Sequence, residues 1–277
     1  MSMSIEDKRR AVLELQLRRR QAAEAEERDR VVAVSRDDRL PCSHQQEGLW
    51  LLHQIDPDLS VYEIPLAVRL RGRLDLGALV AALTALVARH ESLRSRFESL
   101  HGVPEQVIDP VPQAWPMPVI ELPRAEVPGW IRAQQHVPFD LRTGPLFRSS
   151  LARVEPDEHV LMLVMHHIVT DGWSVTVLSR ELSELYNAAL AGTTPALAKL
   201  EVQAADHAAW QRRWLTGSQL QRELGYWREA LEDLQTLEFP ADRPRPAQPT
   251  GAGAMFERRL PDELAAALRG LARHEQA

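Results

Sequence analysis

Cysteine is almost missing from this 277-residue chain, with Cys42 the lone example. That count excludes a disulfide framework and a cysteine-built zinc site. No apolar run approaches the ~18 residues of a membrane-spanning helix. The N-terminal segment, with Glu6, Asp7 and Lys8 near its start, is too charged for a secretory signal. A cytoplasmic protein without a membrane span is the expectation. Aromatics are scarce at 5%, and 39 acidic groups outnumber 33 basic ones for a net charge of −6. Without patches of interleaved basic and aromatic residues, nucleic acid is not an expected partner.

Against these absences stands one segment rich in chemistry. Residues 160–165, Val-Leu-Met-Leu-Val-Met, form a short continuous apolar run, the pattern of a strand covered on both faces. Beyond it, Val175, Leu178, Leu182, Leu185 and Tyr186 recur at the three- or four-residue spacing of an amphipathic helix. Between strand and helix lie His166, His167, Asp171 and Gly172. Consecutive strand residues face opposite ways, so the two histidines must divide their work, one packing and one facing a substrate. An imidazole exchanges protons near neutral pH if its second nitrogen is held by a hydrogen bond. Asp171, on the tightening turn, is placed to brace backbone N–H groups or a nearby cation. Gly172 is expected to permit the turn and a close backbone approach to the reacting centre, offering an N–H to a developing oxyanion. From spacing alone, three uses stay open: hydrogen-bonded structural histidines, a metal site, and acid–base catalysis. Metal is the weakest, because no HExxH motif exists and side chains on opposite strand faces are poor partners for one tetrahedral ion.

A second helical stripe, Leu76, Leu79, Val80, Leu83, Leu86 and Val87, ends in the charged cluster Arg89, His90, Glu91 and Arg94. Cations at a helix C-terminus stabilise its dipole and cap its carbonyls. The alternative is that an arginine here supports the histidine segment through a carboxylate or a carbonyl. Seven prolines between residues 100 and 128 indicate short edge strands and turns. Trp210, Trp214 and Trp227 fall near helical spacing and are expected in core and inter-helix packing.

These residues carry a resemblance to the condensation domains of nonribosomal peptide synthetases. His166-His167-Ile168-Val169-Thr170-Asp171-Gly172 matches that family's HHxxxDG signature in full, followed by Trp173 and Ser174. Three further family motifs occur in order. Residues 43–50, SHQQEGLW, are similar to the first, with His44-Gln45 and Glu47 departing from its usual residues. Residues 89–97, RHESLRSRF, match the second closely. Residues 203–210, QAADHAAW, resemble the fourth, with Ala204 where Tyr is common and His207 where an aromatic residue is usual. The resemblance runs from about Leu40 to the last residue and includes Tyr226-Trp227 and residues 242–246, DRPRP.

The resemblance implies an α/β, chloramphenicol-acetyltransferase-like fold of two lobes, each a mixed sheet flanked by helices, with a tunnel between them. Its members join two acyl groups carried on the phosphopantetheine arms of an upstream donor and a downstream acceptor peptidyl carrier protein. The acceptor amine attacks the donor thioester carbonyl. His167 matches the key histidine, acting as general base or as an orienting group. His166, Asp171, Gly172, Trp173, Arg89 and Arg94 are expected in support, and Asp171 would pair with an arginine of the second lobe. No cofactor or metal is expected on the domain itself. No acyl-enzyme is needed, so Ser174 reads as a helix-capping hydroxyl and Cys42 as a small buried or partly buried thiol. Among subtypes, the flavour of residues 168–174 is closer to domains that accept an L-configured donor.

The expected organisation is a charged N-terminal helix over 1–34, a first lobe over 40–193, bridging helices and a Pro-rich connector over 194–250, and the beginning of a truncated second lobe over 251–277, a strand at 256–260 and then a helix. With the second lobe largely missing, a fragment without activity of its own is expected. Residues 5–30 hold eight Lys/Arg and seven Asp/Glu without Pro or Gly, a helix-forming composition with a thin apolar stripe. Such a segment suits charge-matched docking to an upstream synthetase subunit, or a solvated leader helix. The alternatives for function are a coenzyme A-dependent acyltransferase, an epimerising relative, and an inactive remnant that binds carrier proteins.

Overall fold

The computed structural model describes residues 30–57, 60–235, 237, 240–244, 256 and 258–275. Of the helix expected over 1–34, residues 1–29 lie outside these residues and 30–34 are not helical; most of the Pro-rich run at 239–250 also lies outside. The order of elements is β1 (Leu40–Pro41), α1 (His44–Ile55), β2 (Glu63–Arg71), α2 (Leu76–Arg89), β3 (Ser95–Leu100), β4 (Val103–Ile108), β5 (Val119–Glu121), α3 (Val127–Gln135), β6 (Phe147–Glu155), β7 (Glu158–His166), α4 (Gly172–Ala191), α5 (Ala204–Trp214), α6 (Gly217–Ala230) and α7 (Asp262–His274).

The larger sheet has the order β2-β7-β6-β5. β7 is antiparallel to β2 and β6, while β5 is parallel to β6, so the sheet is mixed. β7 is flanked by strands on both edges and is buried from His159 to His166. That is the two-sided burial its unbroken apolar run demands. A second, antiparallel sheet has the order β1-β4-β3.

Helices α2 and α4 cover one face of the larger sheet. Leu79, Leu83, Leu86 and Val87 of α2 meet Leu178 and Leu185 of α4 over Phe147, Leu161, Leu163 and Met165. Burial of each such Leu or Phe contributes roughly 1.5–3 kcal/mol before the entropy of ordering is subtracted. The other face is covered by Phe97, Phe139 and Leu141, with Leu49 and Trp50 of α1 packed beside them, over Met162, Val164 and Ile168. The proline-rich stretch also contributes to the core: Trp115 is buried and stacks on Phe147, ring centroids 5.2 Å apart.

α4 has defined ends. Asp171 is its N-cap, and Gly192 closes it in the left-handed conformation with φ 63°, where glycine carries no Cβ penalty. Gly172 differs from expectation. It is the first residue of α4, it is not among the glycines with positive φ, and a Cβ there would meet nothing within 4 Å. The turn is made by the extended backbone of Asp171 instead.

The division between compact units falls after Leu234, which coincides with neither 193 nor 250. α5 belongs to the first unit. Its Asp206, 1% exposed, accepts hydrogen bonds from the backbone N–H of Val34 (2.8 Å) and from Arg36 (2.6 and 3.0 Å). Trp210 and Trp214 stack at 5.3 Å, whereas Trp227 is 54% exposed and touches Tyr226, so its expected place in the core is a correction. In the C-terminal unit the helix forms as expected, but the described residues at 256 and 258–260 form no strand and Phe256 is 87% exposed. A strand needs a neighbour for its backbone groups, and these residues have none among the described residues.

Candidate active site

The histidines at the end of β7 separate as strand alternation requires. His166 is 4% exposed, whereas His167 is on the surface. The Nδ1 of His166 accepts the Ile168 backbone N–H at 3.0 Å, and its ring meets Phe139 and His53 edge-on. Burial, with the neighbouring imidazoles of His53 and His167, pushes its pKa down to about 4. His166 is therefore a neutral brace of the turn. Opposite it on β2, Glu63 is pushed up to about 7 by burial, and its Oε2 has no hydrogen-bond partner among the described residues.

His167 is held differently. Its backbone N–H donates to the Tyr62 carbonyl at 2.7 Å, and its Nδ1 lies 2.8 Å from the Thr170 carbonyl oxygen. A carbonyl only accepts, so Nδ1 carries the proton and Nε2 keeps its lone pair. This is the tautomer a proton acceptor needs, fixed by the chain itself.

Asp171 accepts the Ser174 backbone N–H at 2.7 Å and the Ser174 hydroxyl at 2.6 Å, and Ser174 Oγ accepts the Asp171 N–H at 3.3 Å. The Ser174 hydroxyl first, then its N–H, hold the Asp171 carboxyl below its usual range. No arginine of the described residues pairs with Asp171. Ser174 is thus the third helical residue reciprocating the cap, and Asp171 is the cap itself. Trp173, in the first turn of α4, is 81% exposed.

Behind the turn, the charged cluster after α2 acts through α4. Arg89 Nε donates to Glu181 at 2.9 Å and His90 Nε2 lies 2.6 Å from the same carboxylate, itself 3% exposed. Burial raises Glu181, but the bonds from Arg89 and His90 outweigh it and leave its pKa lowered. Arg89, in the last turn of α2, therefore also anchors the helix that follows the histidine motif. Arg94 donates to the Asp109 carbonyl at 2.5 Å. It supports the end of β4 and does not reach the histidines.

Residues 43–50 clamp the turn from the other side. Gln46 completes a capping box with Ser43 at the start of α1, and its Nε2 donates to the carbonyl of Ile168 at 3.3 Å. At the start of α5, Gln203 Nε2 donates to the Arg89 carbonyl at 2.9 Å and its Oε1 accepts the Glu91 N–H at 3.2 Å. Sequence reasoning missed Gln46, Gln203 and Glu181 as residues that hold the site. For Gln46 the one legible signal was the Ser-x-x-Gln spacing before a helix.

His167, Asp171 and Ser174 line one wall of an open cleft of about 570 Å³, which also takes in Ser43, Gln45, Ser92 and His207. Cys42, which precedes the cleft-lining Ser43, is 1% exposed, and burial pushes its thiol up to about 12, so it is no nucleophile at neutral pH. Among the described residues, no group of three or more metal-ligating side chains converges, and no helix is long and apolar enough to cross a membrane.

A mixed α/β sheet whose central strand presents a tautomer-fixed histidine at its C-terminal end, behind a capped helix, is the architecture of a chloramphenicol-acetyltransferase-like lobe. The chain belongs to the condensation-domain family, whose profile matches residues 36–277. It is similar to malpinin synthetase of Mortierella alpina, 42% identical over 229 residues, 80% of this chain and 3% of that protein. It is also similar to the dimodular nonribosomal peptide synthase of Bacillus subtilis (strain 168), 41% identical over 247 residues, 87% of this chain and 10% of that protein. Among solved structures, the X-domain in its complex with OxyB from teicoplanin biosynthesis matches with a TM-score of 0.71 at 33% identity, over 80% of this chain and 50% of that one. The chain thus spans a small fraction of these curated relatives and half of the solved domain.

Proposed function

We propose that this chain supplies the histidine-bearing lobe of a condensation catalyst of cytoplasmic nonribosomal peptide synthesis. The substrates are two acyl thioesters, each on the phosphopantetheine arm of a peptidyl carrier protein, donor upstream and acceptor downstream. The acceptor's α-amine forms a C–N bond with the donor carbonyl, and the C–S bond of the donor thioester breaks. The amine gives up a proton toward His167 Nε2, and the departing thiolate takes one up. The observation that carries this reading is the hydrogen bond from His167 Nδ1–H to the Thr170 carbonyl, which makes Nε2 the nitrogen available to a proton beside the cleft. Asp171, tied to Ser174, holds the turn in shape and takes no proton. His166 and Gln46 fix the loop from behind.

The test uses the synthetase that carries this chain, with both carriers charged, and mass spectrometry of the acceptor carrier. The protein should yield the condensed acyl chain. His167→Ala should reduce the single-turnover rate by about 10²- to 10⁴-fold; an unchanged rate with both carriers verifiably loaded sinks the assignment. A second reading, a platform that recruits a partner without chemistry, is favoured by the match to an X-domain solved in complex with OxyB. It requires stable partner binding with no condensed product from the unaltered protein.

A further inference from the structure

The cleft contains a second imidazole, which no step above uses. His207 lies in the first turns of α5 and lines the same cavity as His167. Its ring packs tilted against Trp210 at 5.4 Å between centroids, which fixes where the ring sits. Its side chain makes no hydrogen bond to any of the described residues, so both ring nitrogens are open to whatever occupies the cleft.

A further unused hydrogen-bond donor lines the same cleft. Gln211, one helical turn further along the same face of α5, donates through Nε2 to Gln45 Oε1 at 3.1 Å, and its own Oε1 accepts the His44 backbone N–H at 2.8 Å. Gln45 is thereby oriented with its oxygen occupied and its NH₂ unused among the described residues, and it lines the cleft beside His207. Ala204, three residues before His207, also lines the cleft. Two side chains with unused N–H groups in one cleft fit an oxygen acceptor on the ligand.

Resting on the proposed reaction, we infer that His207 is a substrate-contacting, specificity-determining residue. Its ring N–H, with the Gln45 amide, hydrogen-bonds an amide or side-chain oxygen of a thioester substrate lying in the cleft. That oxygen has two sources, the pantetheine arm or the acyl group's own side chain. The contact selects and positions the substrate and makes no covalent bond.

His207→Phe keeps the ring face against Trp210 and removes both nitrogens, while His207→Gln restores a donor at similar reach. Condensation by the full synthetase is measured with donor and acceptor panels whose side chains end in a carboxamide, a hydroxyl or an isosteric apolar group. Binding of a non-reactive aminoacyl-pantetheine amide is measured in parallel. His207→Phe should lower kcat/KM about tenfold, chiefly through KM, and weaken the analogue's binding by a similar factor, with His207→Gln recovering most of both. Thermal melting should stay unchanged. A loss confined to oxygen-bearing side chains assigns the contact to the acyl group, and a uniform loss assigns it to the arm. Wild-type KM and analogue affinity in His207→Phe across the whole panel overturns the inference. Absence of condensed product from the unaltered protein would remove the reaction while leaving analogue binding as the readout of the contact.

Discussion

His166 and His167 are neighbours in sequence and opposites in environment, because one strand end serves two regions. On the core side, an imidazole gives up its charge to hold a turn. On the cleft side, an identical imidazole donates its Nδ1–H to the turn's own carbonyl, which turns Nε2 toward the cleft. Side-chain chemistry does not distinguish them. The pleat does, together with which backbone group each ring meets.

The sharpest break between the two sides is functional. His167→Ala should abolish most condensation and shift unfolding free energy by no more than about 0.5 kcal/mol, since an exposed ring with one local bond is removed. Next in size is the pair beneath α4. Arg89→Met leaves the buried Glu181 carboxylate with His90 alone, and should cost about 3 kcal/mol in chemical denaturation. Adding Glu181→Gln should return part of that loss. A double variant as unstable as the sum of the singles would remove the pair from this account.

The core-side imidazole gives a pH signature. Its folded-state pKa is about 4 against 6.5 for the free group. As pH falls, the unfolded chain binds a proton that the folded chain refuses. Stability present above pH 6.5 is therefore lost between about 6.5 and 4, by at most about 3 kcal/mol. His166→Asn should flatten that part of the curve. Glu63 slopes the other way: raised to about 7 from 4.5, it favours the folded state at low pH and loses that contribution as pH rises through 7. The variant-minus-wild-type difference isolates the histidine. The smallest effect is at the lip of the cleft, where Asp171→Ala removes an N-cap and should cost about 1 kcal/mol, read from the urea midpoint. Asp171→Asn should recover most of it.

Much of this was legible in the chain itself. Continuous apolar residues at 160–165 and the three-or-four spacing after Val175 announced the strand and helix that position the site. Alternation required one buried and one exposed histidine. The long-range partners were not legible, because hydrogen bonds such as Arg89 to Glu181 or Gln46 to Ile168 join residues 92 and 122 positions apart, and no local propensity encodes them. Trp115, hidden among prolines, is buried because its ring stacks on a strand residue 32 positions later in sequence (147 − 115). Trp227 carries the same side chain on a regular helix and stays exposed. Gly172 reads as a turn residue by composition, yet the extended backbone of Asp171 makes the bend, and only the dihedrals reveal it.

The lone thiol has a consequence for traffic through the cleft. Thioesters exchange readily with any thiolate they meet. Cys42 precedes the cleft-lining Ser43, but it is walled off and protonated at neutral pH. On the proposed reaction, an acyl thioester in this cleft would meet no reactive thiol there to divert it into a dead-end adduct.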